Sequence, residues 1–213
     1  MPHMPVSLRG RLRRLPPCGK ITGVRTFEPP PPPPAGGFRV SLSGTFGRGK
    51  TSLLRPLAHR LGVPALDEVA RRFLDASHDL GTGPVQAAIT VVQDRLEAGC
   101  TGFVTDRSLI DALAYARIGL AGAAPGTLDH DIFASCSSWC EANLEGRYTE
   151  VVLVESEVPL PASLRGREQF RDQVAEEVDR VVRELGVRTL RVVGTPEANA
   201  RQAAAWIRAQ TDA

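Results

Sequence analysis

Five short apolar runs recur along the chain, and between them apolar positions return at helical spacing. The first, FRVSLSG at 38–44, reads as a strand that enters a glycine-rich turn. In the stretch after it, KTSLLRPLAHRL, Leu53, Leu54, Leu57, Ala58 and Leu61 share one helical face and Gly62 stops the helix. Pro56 lacks an N–H, so a bend is expected in the second turn. Further strands are read at 63–66, 102–105, 149–155 and 188–193, each beside a helical pattern. The clearest helix spans 167–185, where Phe170, Val174, Val178, Val181, Val182 and Leu185 form a stripe ended by Gly186. Thr195 as cap and Pro196 at the first helical position open the last helix. Strands alternating with helices predict a parallel sheet covered on both faces, an α/β fold of three layers.

Composition sets the limits of that domain. With 213 residues, 42 % of them hydrophobic, the chain can bury one core of ordinary size. Residues 1–37 differ in character: Arg9, Arg11, Arg13, Arg14, Lys20 and Arg25 face only Glu28, and the proline run 29–34 favours an extended polyproline II form. They read as a disordered basic leader, either a solvated tail or a contact for nucleic acid, ahead of a domain at 38–213. The remaining body is mildly acidic, which argues against a domain dedicated to nucleic acid. No apolar run approaches the roughly 20 residues of a membrane span. Four cysteines are too few and too irregular for a disulfide scaffold, so reduced thiols and a cytoplasmic setting are expected. Cys136 and Cys140 stand four apart in a helical segment, but no second Cys or His pair completes a zinc site.

The turn after the first strand carries the strongest chemical signal. Gly44, Gly49, Lys50 and Thr51 meet the pattern G-x-x-x-x-G-K-[ST], between a strand and a helix as a phosphate loop requires. Backbone N–H groups must converge on the phosphates, and side chains at the two glycines would obstruct them. Gly44, Thr45, Phe46, Gly47, Arg48, Gly49, Lys50, Thr51 and Ser52 are therefore the candidate nucleotide-binding run, for ATP or GTP. Lys50 would reach the β and γ phosphates, and Thr51 would offer its hydroxyl to Mg²⁺. Only two of the 26 basic residues are lysines, Lys20 in the leader and Lys50 here.

The residues elsewhere favour phosphoryl transfer over hydrolysis. The strand at 102–105 leads into Asp106, Arg107 and Ser108, and an acid at that strand tip is placed to hold Mg²⁺ directly or through water. No glutamate follows Asp106 to activate water, and no Asn-Lys-x-Asp guanine-reading motif occurs.

The segments VPALDEVARRFL, FVTDRSLIDALAYARIG and LRGREQFRDQVAEEVDRVVREL, with the phosphate loop, resemble the NadR-like AAA-domain family related to nicotinamide riboside kinases. The likeness runs from about Phe38 to the C-terminus. It implies a three-layer P-loop NTPase with five parallel strands in the order 2-3-1-4-5, ATP as donor, and a mobile arginine-bearing lid. It implies that Glu68 is the base or hydroxyl ligand after the second strand, with adjacent Asp67 able to take that role. It implies that Asp106 holds magnesium, that Arg107 contacts phosphate, and that Arg165, in the segment 159–171 with Arg167 and Arg171, belongs to the lid. Ser163 and Leu164 stand where members commonly have Asp-Gly before the lid arginine. Asp111 is either an acceptor ligand or half of a capping box with Ser108. Tyr115, one turn further on, lines an acceptor pocket or belongs to the core. The expected reaction is transfer from ATP to a hydroxyl of a nucleoside or nicotinamide-riboside-like acceptor. A regulatory ATPase or GTPase working through a protein partner is the alternative, and a homodimer is kept open.

Overall fold

The computed structural model describes residues 37–75, 81–156 and 167–211. The leader as far as residue 36, and Arg165 with most of the segment 159–171, lie outside the described residues. The elements in chain order are β1 (Arg39–Ser43), α1 (Lys50–Leu61), β2 (Ala65–Leu66), α2 (Val69–Asp75), α3 (Gly83–Ala98) and β3 (Phe103–Asp106). Then follow α4 (Leu109–Gly122), α5 (Leu128–Leu144), β4 (Glu150–Val154), α6 (Glu168–Leu185), β5 (Arg188–Val192) and α7 (Pro196–Thr211). The strands form one sheet in the order β2-β3-β1-β4-β5, and every pairing is parallel.

Alternation along the central strands divides the core between the two faces of the sheet. Val40 and Leu42 of β1 and Val152 and Val154 of β4 meet Leu53, Leu54 and Leu57 of α1 and Ala200, Ala203 and Ile207 of α7. Val151 and Leu153 point the other way, with Phe103, into a cluster made by Leu109, Ile110 and Leu113 of α4, Cys140 of α5, and Val174, Val178, Val181 and Val182 of α6. Each such aliphatic side chain withdrawn from water stabilises the fold by roughly 1.5–3 kcal/mol before entropy is counted. Among the described residues, no helix is long and apolar enough to cross a membrane.

Two strands depart from the sequence reading in ways that bear on the site. β2 is cut to two residues because Pro64 offers only its carbonyl, which accepts from Val104 N–H at 2.9 Å, and has no N–H to extend the ladder. β3 starts one residue later than expected and takes in Asp106, which stands opposite Leu42 of β1. That register brings the carboxylate level with the end of β1, where the glycine-rich turn starts. Helix α1 continues through Pro56 and ends on Gly62 at φ 72°, whose N–H reaches the carbonyls of Ala58 and His59.

Candidate active site

The turn between β1 and α1 can close only with glycine at three points: Gly44, Gly47 and Gly49 have φ of 130°, 73° and 84°. A Cβ on Gly44 would also sit 3.2 Å from the Val154 carbonyl oxygen. Inside this turn Lys50 is 5 % exposed, and its Nζ donates to the carbonyls of Gly44 at 2.7 Å and Thr45 at 2.8 Å. Burial first, and then the charge of Arg107, pushes its pKa down to about 8, against the opposing pull of Asp111, Asp106 and Glu68. Phe46 stacks on Phe170 of α6 with centroids 6.4 Å apart, and Arg48 donates to the Glu155 carbonyl at 3.3 Å. Thr51 and Ser52, at the start of α1, are exposed.

Across the turn, the Thr51 hydroxyl donates to Asp106 Oδ2 at 2.5 Å. The other carboxylate oxygen, Oδ1, is buried and has no hydrogen-bond partner. Burial is the main cause that raises the Asp106 pKa, and the Thr51 hydrogen bond works against it. A hydroxyl and a carboxylate with an unmet lone pair are hard oxygen donors, suited to Mg²⁺, which takes few protein ligands and keeps waters or phosphates for the rest. Among the described residues, no group of three or more His, Cys, Asp and Glu is placed to hold a metal ion.

Arg107 follows at φ 67°, left-handed backbone that costs a non-glycine residue roughly 1–2 kcal/mol. Its Nε lies 2.6 Å from Glu68 Oε1, and its guanidinium lies 5.0 Å from the centre of the Tyr115 ring. Glu68 is turned inward, with its side chain 12 % exposed. Asp67 points elsewhere: more than half exposed, it is held by Arg55 through both carboxylate oxygens at 3.0 Å. Of the two acids left open by the sequence, Glu68 is the one that joins the cluster.

Asp111 has structural contacts and also borders the cavity beside Arg107. It completes the capping box with Ser108, accepts from the Ser43 hydroxyl at 3.0 Å, and accepts from Gly44 N–H at 3.3 Å. It therefore braces the glycine turn from beneath. Tyr115 is half-buried and meets Phe170 edge-on at 6.0 Å. Beside Arg107 and Tyr115 lies a cavity of about 30 Å³, lined also by Gln86, Gln93, Val69 and Ile89. That is the room of one water, so a larger molecule enters only if a wall recedes.

Three contributors escaped the sequence reading. Arg71 lies 3.4 Å from Glu68 and 3.5 Å from the Thr51 hydroxyl. Its spacing of one helical turn from Glu68 was the available signal. Gln86 and Gln93, two turns apart on α3, reach the cavity only through tertiary packing, for which the local sequence holds no signal.

A family model described as AAA domain matches residues 39–198. No curated protein matches the chain by sequence. Among solved structures, a NadR protein in complex with NR superposes with a TM-score of 0.63 at 18 % identity, covering 83 % of this chain and 52 % of that one. A NadR protein in complex with NAD and AMP-PNP gives 0.61 at 19 % identity, covering 83 % and 50 %. Deoxyadenosine kinase from M. mycoides, with dCMP and dCDP, gives 0.52 at 11 % identity, covering 82 % and 98 %. The chain thus spans about half the length of the NadR structures it matches. At these identities the likeness establishes the fold.

Proposed function

The chain belongs to this AAA-domain family of NadR-like P-loop NTPases, and from that premise we propose that it transfers the γ-phosphate of ATP to a hydroxyl of a small molecule. The acceptor is a nucleoside or a nicotinamide-riboside-like compound. The observation that carries the reading is the meeting of Thr51, Asp106, Arg107 and Glu68 at the mouth of the glycine turn, beside a cavity that Arg107 helps to line. The similar structures supply its context, since NR is bound in a NadR structure and nucleotides in a deoxyadenosine kinase.

Thr51 and Asp106 would hold Mg²⁺, which would supply positive charge to offset that of the phosphates. Lys50 would leave the Gly44 and Thr45 carbonyls for the phosphate oxygens. Glu68 would orient the acceptor hydroxyl and take its proton as oxygen attacks phosphorus, while the bond to the leaving diphosphate breaks. Arg107 and Arg71 flank that carboxylate and would meet charge on the transferring group. Arg107, the one cation lining the cavity among the described residues, is already paired with Glu68. An anionic acceptor therefore gains little there, and an uncharged heterocycle that packs beside Tyr115 and Ile89 fits better. Cys100, Cys136 and Cys140 are free thiols, which suits a reducing, cytoplasmic setting.

The test is a panel of nucleosides and vitamin ribosides incubated with Mg·ATP labelled on the γ-phosphate. A labelled monophosphate from one acceptor supports the reading. Label released only as free phosphate, whatever acceptor is added, would move the protein to the ATPase alternative.

A further inference from the structure

The Asp106–Arg107–Ser108 turn carries the metal carboxylate and the guanidinium on Glu68, yet its middle residue has backbone that a side chain disfavours. Something must hold it. Its support lies outside the site, at a carboxylate on α3 for which the mechanism has no use. Glu97 is 1 % exposed and lies among Gln93 at 2 %, Thr105 at 0 %, Arg147 at 3 % and Tyr148 at 6 %. Its charge is met by Arg147, whose Nε stands 2.6 Å from Oε2, and Arg147 is itself anchored to Asp94 at 2.9 Å.

Two hydrogen-bonded arms leave Glu97 and reach the turn from opposite ends. In the first, Gln93 Nε2 donates to Glu97 Oε1 at 2.7 Å and to the Thr105 hydroxyl at 2.8 Å. That hydroxyl donates in turn to the Arg107 carbonyl at 2.7 Å. In the second, the Tyr148 hydroxyl donates to Glu97 at 2.9 Å, which leaves its lone pair to accept from Leu109 N–H, also at 2.9 Å. The directions are not interchangeable. An ionised carboxylate only accepts, so it turns the NH₂ of Gln93 toward itself, and the second amide hydrogen then meets the Thr105 oxygen. Thr105 is left to donate, and the nearest acceptor is the carbonyl that the left-handed Arg107 presents. A neutral amide at position 97 would bring a donor against Gln93, Tyr148 or Arg147 and scramble both arms.

We infer that Glu97 is the positioning residue of this site, setting the Asp106–Arg107–Ser108 turn through Gln93 and Thr105 on one side and Tyr148 and Leu109 on the other. The inference rests on the kinase reading only for the chemical task of that turn. Burial raises the Glu97 pKa, and the Arg147 guanidinium beside it works against that rise.

Crystal structures and kinetics of Glu97→Gln and Thr105→Val, with Thr105→Ser as the hydroxyl-keeping control, test it. In Glu97→Gln and Thr105→Val, Arg107 leaves the left-handed region and its contact with Glu68 opens. Turnover with the acceptor then falls about tenfold while the KM for ATP stays within about twofold, since displacement of a reacting group acts on the transition state. Thr105→Ser keeps both geometry and rate. If Glu97→Gln does not fold, Tyr148→Phe cuts the second arm alone and is read in the same way. Arg107 unmoved and turnover unchanged in these variants, with only thermal stability lost, overturns the inference and leaves Glu97 a core ion pair. Should the wild type phosphorylate no acceptor, the function falls, and the Arg107 backbone in the variants still decides this inference.

Discussion

At the scale of single residues, the site divides into groups fixed by backbone geometry and groups brought by packing. Lys50 belongs to the first. In nucleotide-free, metal-free buffer its folded pKa of about 8 lies below the ordinary 10.5. Below pH 8 the ammonium is charged in both folded and unfolded chains, and the full cost of burying it is present. Between pH 8 and about 10 the folded chain releases the proton first, so stability rises with pH. Lys50→Met removes that effect. Its stability advantage over wild type should shrink by about 1.4 kcal/mol per pH unit across the window, as read by urea unfolding; a constant difference would contradict the assignment. The same variant should lose tight Mg·ATP binding at pH 7. Glu68→Gln should keep ATP affinity within about threefold and lower turnover by about 10²–10⁴, the usual contribution of a positioned base. Full activity would place the base elsewhere. Gly44, Gly49, Lys50 and Thr51 were legible because loop and cation are contiguous in sequence. Asp67 and Glu68 could not be separated from sequence, because side-chain direction depends on Arg55 and Arg107, contributed by other elements.

At the scale of elements, strands were easier to read than helices. β4 is a short, mostly apolar run, β1 alternates Val40 and Leu42 with polar residues ahead of a glycine, and α6 shows a clean stripe because only one face is buried. α4 gave no such stripe: Leu109, Ile110, Ala112, Leu113, Ala114 and Ala116 are buried nearly all round, packed against α5 and α6. The seam between α4 and α5 depends on a small residue. A Cβ placed on Gly119 would stand 2.5 Å from the ring of Phe133, which is 3 % exposed. Gly119→Ala should therefore destabilise the protein by about 1–3 kcal/mol through overpacking, despite the better helix propensity of alanine. Phe133→Leu in the same chain should recover part of that loss. A stabilised single variant in thermal unfolding would show that the ring can move aside freely.

Over the whole molecule, stability is unevenly distributed, and the unevenness falls where a substrate must enter. β1, β3 and β4 are buried on both faces between two large clusters. α2 rests instead on a small third cluster, Val69 and Ala70 against Ile89, with Phe73, Val85, Val92 and Leu96 at its margin. Val69 and Ala70 are also walls of the cavity beside Arg107. A 30 Å³ space cannot take a nucleoside-sized acceptor, so one wall has to yield, and the least deeply packed wall is the cheapest to move. Amide hydrogen exchange should then be fastest around Val69–Asp75 and slowest in β1 and β4, with Mg·ATP alone protecting the glycine turn and the start of α1. Protection of α2 should appear only when an acceptor joins the nucleotide. If α2 exchanged as slowly as β4, the opening would have to come from α3 or α4, and the Gln93 tie to Thr105 or the Tyr115 contact with Arg107 would have to break with it.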